Sequence, residues 1–194
     1  MTQAATYTLE QFYGDLRGVF ASVSDPLGRA EGIREHVRRL LKNPEVLEER
    51  LDLPEDGGFG RVDLYVDEEY GHPNPGFLVM CSVQRPEQSN IPHDHGASWV
   101  VYGVGRGTIE QRKYRWIYPE DNVFDSSPEL QELGRYTQNE GDVAYFLPGE
   151  IHTTHNVNDG RSLVLRIEAQ DLRNVWRHQY EFGGKSGRAY QSST

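Results

Sequence analysis

The pattern of apolar positions divides the chain into a helical first part and a strand-rich remainder. In residues 7–23 (YTLEQFYGDLRGVFASV) apolar side chains recur every three or four positions, which is typical of an amphipathic helix, and Thr8 is suited to cap its first turn. The same spacing returns in residues 29–43 (RAEGIREHVRRLLKN), and Pro44 is suited to open a third, short helix. We therefore predict an N-terminal helical segment, residues 1–58, that packs on the rest of the chain.

From Phe59 onward the apolar residues come in short runs rich in Val, Tyr, Leu and Thr, separated by turns that contain Gly, Pro and Asn. No helical pattern alternates with these runs, which disfavours a parallel α/β fold. We predict a mainly β fold, a sandwich or barrel over residues 59–183, with an acidic loop at 119–133 and a loose C-terminal tail at 184–194. The whole chain is predicted to be a single domain.

Charge and cysteine content narrow the function classes. The net charge of −10 argues against nucleic acid or an anionic membrane as a partner. The single cysteine, Cys81, excludes a disulfide within the chain and fits a reducing compartment. The first residues, MTQAATYTLE, lack the basic and apolar regions of a secretory signal, and no apolar run is long enough to span a membrane. We therefore expect a cytoplasmic protein.

Two stretches of sequence carry the candidate chemistry. In IPHDHG, His93 and His95 are two positions apart, and residues i and i+2 of a strand point to the same face. In GDVAYFLPGEIHTTHN, a Pro–Gly turn precedes His152 and can bring a third imidazole to the first two. Neutral imidazoles bind zinc, iron, copper or nickel, so the sequence predicts a metal site. His155, three residues further on, is expected to face the other way.

These stretches resemble the two motifs of the cupin superfamily, G(x)5HxH(x)3–4E(x)6G and G(x)5PxG(x)2H(x)3N. The positions that match are His93, His95 and Gly107 in the first motif, and Gly141, Gly149, His152 and Asn156 in the second. Three positions depart from the motifs: Glu87 stands near the opening glycine, Pro148 is one place late, and Val100 replaces the glutamate. The resemblance implies a cupin double-stranded β-helix, which is a jelly-roll barrel.

Cupins with three histidines and no glutamate ligand include the thiol dioxygenases, and the chain is similar to these over most of its length. IPHDHG resembles their IHDHT, GEIHTTHN resembles their GLHRVEN, and they also begin with about fifty helical residues. The resemblance implies iron(II) held by His93, His95 and His152, with O2 and a small thiol as substrates and a sulfinate as product. Nickel, manganese or zinc are the alternative metals.

The chain departs from the thiol dioxygenases at residues that contact the substrate. Their Ser-x-His-x-Tyr stretch reads SLVLR here, so that Val164 and Arg166 replace the histidine and the tyrosine. Their carboxylate-binding arginine aligns with Asp63, and Arg61 lies two residues earlier on the same face. Arg61 and Arg166 are therefore the candidate anion clamps. The candidate pocket residues are Tyr102, Met80 and Ser82.

Glu150, which follows the Pro–Gly turn, is expected to be a turn residue, with a role as substitute ligand or base as the alternative.

The leading hypothesis for function is a non-haem iron dioxygenase acting on a small anionic thiol. Two alternatives stay open. One is a three-histidine oxygenase that cleaves a C–C bond of a diketone-like substrate. The other is an oxygen-independent nickel, manganese or zinc cupin that acts as an isomerase, a hydrolase or a binding protein. The expected partners are small molecules, and the chain could be a monomer or a homodimer.

Overall fold

The computed structural model describes residues 7–43, 45–48, 60–117, 129–180 and 188–190. The helices within these ranges are α1 (Leu9–Ser22), α2 (Pro26–Leu40) and α3 (Glu45–Glu48). The strands are β1 (Gly60–Val66), β2 (Leu78–Gln84), β3 (Val100–Arg106), β4 (Ile109–Ile117), β5 (Glu129–Gln138), β6 (Val143–Phe146), β7 (Ile151–Asn156), β8 (Ser162–Glu168), β9 (Arg177–Gln179) and β10 (Arg188–Tyr190). None of these helices could cross a membrane, since the longest has 15 residues.

The predicted N-terminal helices are present, and they pack on the outer face of the barrel. Thr8 caps α1 with a capping box, because its hydroxyl accepts from the Gln11 N–H while the Gln11 side chain accepts from the Thr8 N–H. On the buried side of α1, the Phe20 ring stacks on Phe77 at 4.8 Å and on Trp99 at 5.7 Å between ring centroids. Burial of this aromatic stripe fixes the helices against the larger sheet.

Eight of the ten strands that the structure describes form two antiparallel sheets that face each other, and β9 and β10 form a separate two-stranded sheet. The larger sheet has the order β1-β2-β8-β3-β6, and the smaller has the order β5-β4-β7. The segment with the first two histidines extends the smaller sheet, because His93 bridges His152 on one side and Gln179 in β9 on the other. Because the chain passes back and forth between the two sheets in this order, the fold is a double-stranded β-helix, and the predicted mainly β cupin-type fold is confirmed.

Alternation along β2 shows how the sequence places the barrel interior. Val79, Cys81 and Val83 point outward and belong to the core beneath the helices. Met80 and Ser82 lie on the opposite face, which encloses the barrel interior, because side chains alternate along a strand. The larger sheet therefore has two covered faces, and its inward face supplies one wall of a cavity.

Part of the predicted acidic loop is a strand. β5 begins at Glu129 and pairs with β4 from Ile117 to Ile109, so the loop prediction is wrong for residues 129–133. Leu130 explains the extension, because it packs against a small apolar cluster on the neighbouring strands. The rest of the predicted loop, 119–128, lies outside the described residues.

Two further predictions concern the C-terminal region. Near the end of the predicted β region, residues 172–180 form a 3₁₀ turn at Leu172–Asn174, which Asp171 caps, and the short strand β9. In the predicted loose tail, β10 pairs with β9, and residues 184–187 and 191–194 lie outside the described residues. The boundary at residue 58 also lies outside them, so the domain division stays a prediction.

Candidate metal centre

Three buried histidines meet between the two sheets. The barrel places His93 and His95 on the segment beside β7, and it places His152 at the start of β7. Their candidate ligand atoms all lie within 4.8 Å of one another, and the Nε2 atoms of His95 and His152 are 3.4 Å apart. The two motifs are therefore brought together as the sequence predicts, and the three side chains could hold a metal ion.

Hydrogen bonds fix which ring nitrogen of two histidines faces the centre. Nδ1 of His93 donates to the Ile91 carbonyl oxygen at 3.0 Å, and Nδ1 of His152 donates to Oε1 of Gln111 at 3.0 Å. Both Nδ1 atoms therefore carry the proton, and both Nε2 atoms keep a lone pair. Lone pairs that converge in a buried space repel one another unless a cation lies between them, so the donor set fits a metal ion.

Burial keeps these imidazoles neutral. It lowers the pKa of His93 to about 4, and it lowers the pKa values of His95 and His152 well below the usual range. Neutral imidazole is the form that binds a metal, so protons do not compete for the site near neutral pH. Because a histidine nitrogen lies about 2.0–2.1 Å from a bound zinc, two nitrogens on one ion lie at most about 4.2 Å apart. The 3.4 Å pair meets this limit, whereas the 4.8 Å bound on the whole set exceeds it, so an ion would draw the imidazoles closer together.

The Nδ1–H group of His152 donates to the first of two hydrogen-bonded, buried side-chain amides. Oε1 of Gln111 also accepts from the Thr154 hydroxyl at 3.0 Å, and its Nε2 donates to Oε1 of Gln138 at 2.9 Å. Nε2 of Gln138 in turn donates to the Tyr102 carbonyl oxygen at 3.4 Å. Such partners behind a ligand set its orientation and basicity. The orientation of His152 is thus tied to β4, β5 and β3.

Asp94, between the two histidines of the pair, points away from the centre and fastens the segment to β9. Its carboxylate accepts from the Gly96 and His178 N–H groups, from the His178 ring at 2.8 Å and from the Tyr180 hydroxyl at 2.6 Å. Gly96 completes this corner with a φ of +60°, and a Cβ there would lie 1.9 Å from the Trp176 carbonyl oxygen. Only glycine fits both constraints.

No carboxylate joins the cluster among the described residues. Val100, at the motif position of the glutamate, is fully buried on the inward face of β3 beside Phe146. The Phe146 ring stacks on His152 at 3.7 Å between centroids.

Glu150 is held in its turn by the Leu147 N–H and by Lys113, and His155 lies 3.4 Å from Glu87. Neither Glu150 nor His155 belongs to the histidine cluster.

A cavity of about 180 Å³ lies on the inward face of the larger sheet, and its described lining residues do not include the three histidines. It is lined by the five predicted substrate residues, Arg61, Met80, Ser82, Tyr102 and Arg166. The Tyr102 ring connects it to the centre, because its centroid is 5.4 Å from that of His152. Thr154 also lines the cavity and bonds to the amide behind His152. The barrel therefore gathers the predicted residues, and their role in binding stays a prediction.

Both lining arginines also contact carboxylates. Nε of Arg61 donates to Asp63 at 2.7 Å, and Arg61 lies at the exposed side of the cavity. Arg166 is deeper, where its NH2 lies 3.1 Å from buried Glu168 and its guanidinium lies 5.2 Å from the centroid of the Tyr102 ring. These contacts hold the guanidinium groups in place along the cavity wall.

Sequence reasoning did not find the amide residues Gln111, Gln138, Gln84 and Asn90. One signal was available for Gln111, which is a polar residue at an inward position of a strand, two residues after buried Ile109. A polar side chain in that position needs a buried partner, and a metal-binding histidine is one such partner.

No protein-family model matches the sequence. No curated protein matches it either. Matching solved structures include a Klebsiella pneumoniae protein with a double-stranded β-helix domain, which is 14% identical with a TM-score of 0.45, the match covering 74% of this chain and 88% of that chain. A cupin 2 conserved barrel domain protein from Salinispora arenicola is 20% identical with a TM-score of 0.42, covering 63% and 84% of the two chains. An L-ribose isomerase from Cellulomonas parahominis is 13% identical with a TM-score of 0.44, covering 59% and 62%. This likeness concerns the barrel and carries no activity over to this chain.

Proposed function

We propose that this chain is an iron(II) dioxygenase that converts a small anionic thiol into a sulfinate, with both atoms of O2 ending on sulfur. The observation that carries the proposal is a neutral three-histidine cluster without a carboxylate, beside a cavity lined by two arginines. His93, His95 and His152 would hold the metal. Bound by neutral ligands only, iron(II) would keep its full charge and open positions, which favour a thiolate and its reaction with dioxygen.

Several residues of the chain prepare the site for such a substrate. Val100 leaves the fourth ligand position of other cupins without a carboxylate, so the substrate can supply its own donors. Arg166 can bind the carboxylate of the substrate by paired hydrogen bonds. Met80 and Val164 form an apolar part of the cavity wall, which would exclude water around the carbon atoms of the substrate that carry the sulfur.

Tyr102 supplies a proton donor at the base of the cavity. The side chain is almost fully buried, and burial raises the pKa of its hydroxyl, so it stays protonated at neutral pH. A protonated tyrosine can donate a hydrogen bond to an oxygen atom of the substrate or of the product. This contact takes the place of the relay that the chain lacks at Val164 and Arg166.

Oxygen uptake by iron-loaded protein tests the proposal. Protein purified without a histidine tag is analysed for metal, loaded anaerobically with iron(II), and mixed with O2 and a panel of mercapto-acids and diketones. We expect one O2 consumed per sulfinate formed, with sulfinate measured by mass spectrometry. His152→Ala should lose both iron and activity, and the matched variant His155→Ala should keep both. O2 uptake with diketones alone, or none at all with full iron content, would contradict thiol oxidation.

A further inference from the structure

The part of the cavity wall around Arg61 is rich in hydrogen-bond donors. Ser162 donates to Oε1 of Gln84 at 3.3 Å, and the Thr154 N–H donates to Oδ1 of Asn90 at 2.7 Å. Since the carbonyl ends of both amides are used in this way, their NH2 ends are the groups left to meet a ligand. Both amides line the cavity with Arg61 and Ser82. This group, Arg61, Ser82, Gln84 and Asn90, is called the outer donor cluster.

Arg61 can offer its two terminal nitrogens as hydrogen-bond donors to a ligand. Its bond to Asp63 uses Nε, and the structure gives its two terminal nitrogens no other partner among the described residues. Asp63 also accepts from Arg173 at 3.3 Å, so its charge is shared between two arginines. The terminal edge of the Arg61 guanidinium can therefore bind an oxyanion in the cavity without breaking the ion pair.

The outer donor cluster is separate from the deeper arginine. In the larger sheet Arg61 pairs with Ser82, whereas Arg166 lies in the adjacent row between Met80 and Tyr102. Two strand spacings and one two-residue step separate the two arginines, which places their Cα atoms about 12 Å apart. Both guanidinium groups line the same cavity, so they can serve two acidic groups of one ligand.

The lining also argues against an amino-acid ligand. Among the lining residues that the structure describes there is no aspartate, glutamate or histidine to receive an ammonium group. Two guanidinium groups would repel it. The cavity volume of about 180 Å³ lies below the roughly 300–1,000 Å³ that is typical of pockets for drug-sized ligands, so the ligand is small.

We propose that the outer donor cluster is a second anion subsite, and that the cavity takes a small ligand with two acidic groups and no ammonium group, such as a four-carbon dicarboxylate. The inference that this ligand carries a thiol rests on the proposed function. The inference that it carries a second acidic group rests on the outer donor cluster. The deeper acid binds at Arg166, and the outer acid binds at Arg61 with the amide donors of Gln84 and Asn90.

Calorimetric titration of the full-length, metal-free protein tests the subsite without any turnover. Succinate and butyrate have the same carbon chain and differ in one acid group. We expect succinate to bind at least about tenfold more tightly, as one charged hydrogen-bonded contact predicts. Arg61→Gln should reduce this preference to about twofold or less. Arg173→Gln is the matched control, because Arg173 also pairs with Asp63 but does not line the cavity. Circular dichroism verifies folding of both variants.

Equal affinity for succinate and butyrate, or a preference that survives in folded Arg61→Gln protein, would overturn the subsite. Oxygen uptake separates this result from failure of the proposed function. A succinate preference without oxidation of any thiol supports the subsite and overturns thiol oxidation. Oxidation of 3-mercaptopropionate and mercaptosuccinate with equal kcat/KM, and no succinate preference, overturns the subsite alone.

Discussion

Replacing Gln111 with methionine should weaken metal binding although no ligand is removed. The fully buried amide accepts the Nδ1 proton of His152 at 3.0 Å, and it also accepts the Thr154 hydroxyl proton at 3.0 Å. Methionine has a similar length and cannot replace these acceptors. The imidazole of His152 would then carry a buried, unpaired N–H and would be free to turn away from the centre.

The size of the effect follows from these contacts. A buried donor left without its partner costs about 1–3 kcal/mol. Loss of the residue behind a metal-binding histidine weakens metal affinity by about 10- to 100-fold, which is about 1.4–2.8 kcal/mol at 1.4 kcal/mol per decade. The two estimates agree, so we expect a rise of one to two decades in the metal Kd. The variant should also unfold at a lower temperature, because Gln138 and Thr154 lose a partner as well.

Competition for cobalt(II) or zinc(II) against a chromophoric chelator measures the change in Kd. Gln131→Met is the matched control, because Gln131 is an exposed glutamine of β5 that accepts from Arg115 and lies away from the histidines. Its Kd should equal that of the unaltered protein. An unchanged Kd in Gln111→Met, together with a lowered Tm, would show that the amide chain supports the fold and leaves the orientation of His152 unaffected.

Three further predictions concern the site and the fold. His152→Ala should abolish metal loading in elemental analysis, and a similar loss in His155→Ala would show that the register of β7 is wrong. Val100→Glu should keep or raise metal affinity while oxygen uptake falls sharply, and full activity with bound iron would show that Val100 does not face the metal. Asp67→Asn should lower the free energy of unfolding in urea by about 2–3 kcal/mol at pH 7. Burial alone would raise the pKa of Asp67, but hydrogen bonds from the Tyr70 N–H and other donors outweigh it, and the pKa is lowered. The stabilisation by Asp67 is therefore fully present above the ordinary carboxyl pKa of about 3.9, and it is lost as the pH falls through the lowered pKa of Asp67. If Asp67→Asn lowered the free energy of unfolding equally at pH 7 and in strong acid, this reasoning would be contradicted.

Local signals explain what the sequence predicts well. The capping residue Thr8 and the apolar stripe of α1 lie within a few turns of each other, so both can be read from adjacent residues. The same holds for His93 and His95, because alternation along an extended segment places both on one face. Neighbouring residues therefore suffice to predict the helices and two of the three histidines of the candidate metal centre.

Contacts between distant residues explain what the sequence does not predict. The bond between His152 and Gln111 joins positions 41 residues apart, and the bond between Asp94 and His178 joins positions 84 apart. No local pattern encodes either partner. The first half of β5 was predicted as loop for another reason: residues 131–133 are all exposed, so the apolar alternation that marks a half-buried strand is absent there.

The bridge between His93 and His152 also determines when the centre can form. His95 and His152 are 57 residues apart, and the Tyr180 N–H bonds to the Pro92 carbonyl oxygen still later in the chain. Bringing such distant segments together costs chain entropy before any stabilising contact forms, so we expect this closure to come late on the folding pathway. A metal ion that bound only the closed barrel would then stabilise a contact that we expect the folding transition state to lack. It should therefore slow unfolding, and prolong the lifetime of the folded chain, far more than it speeds folding.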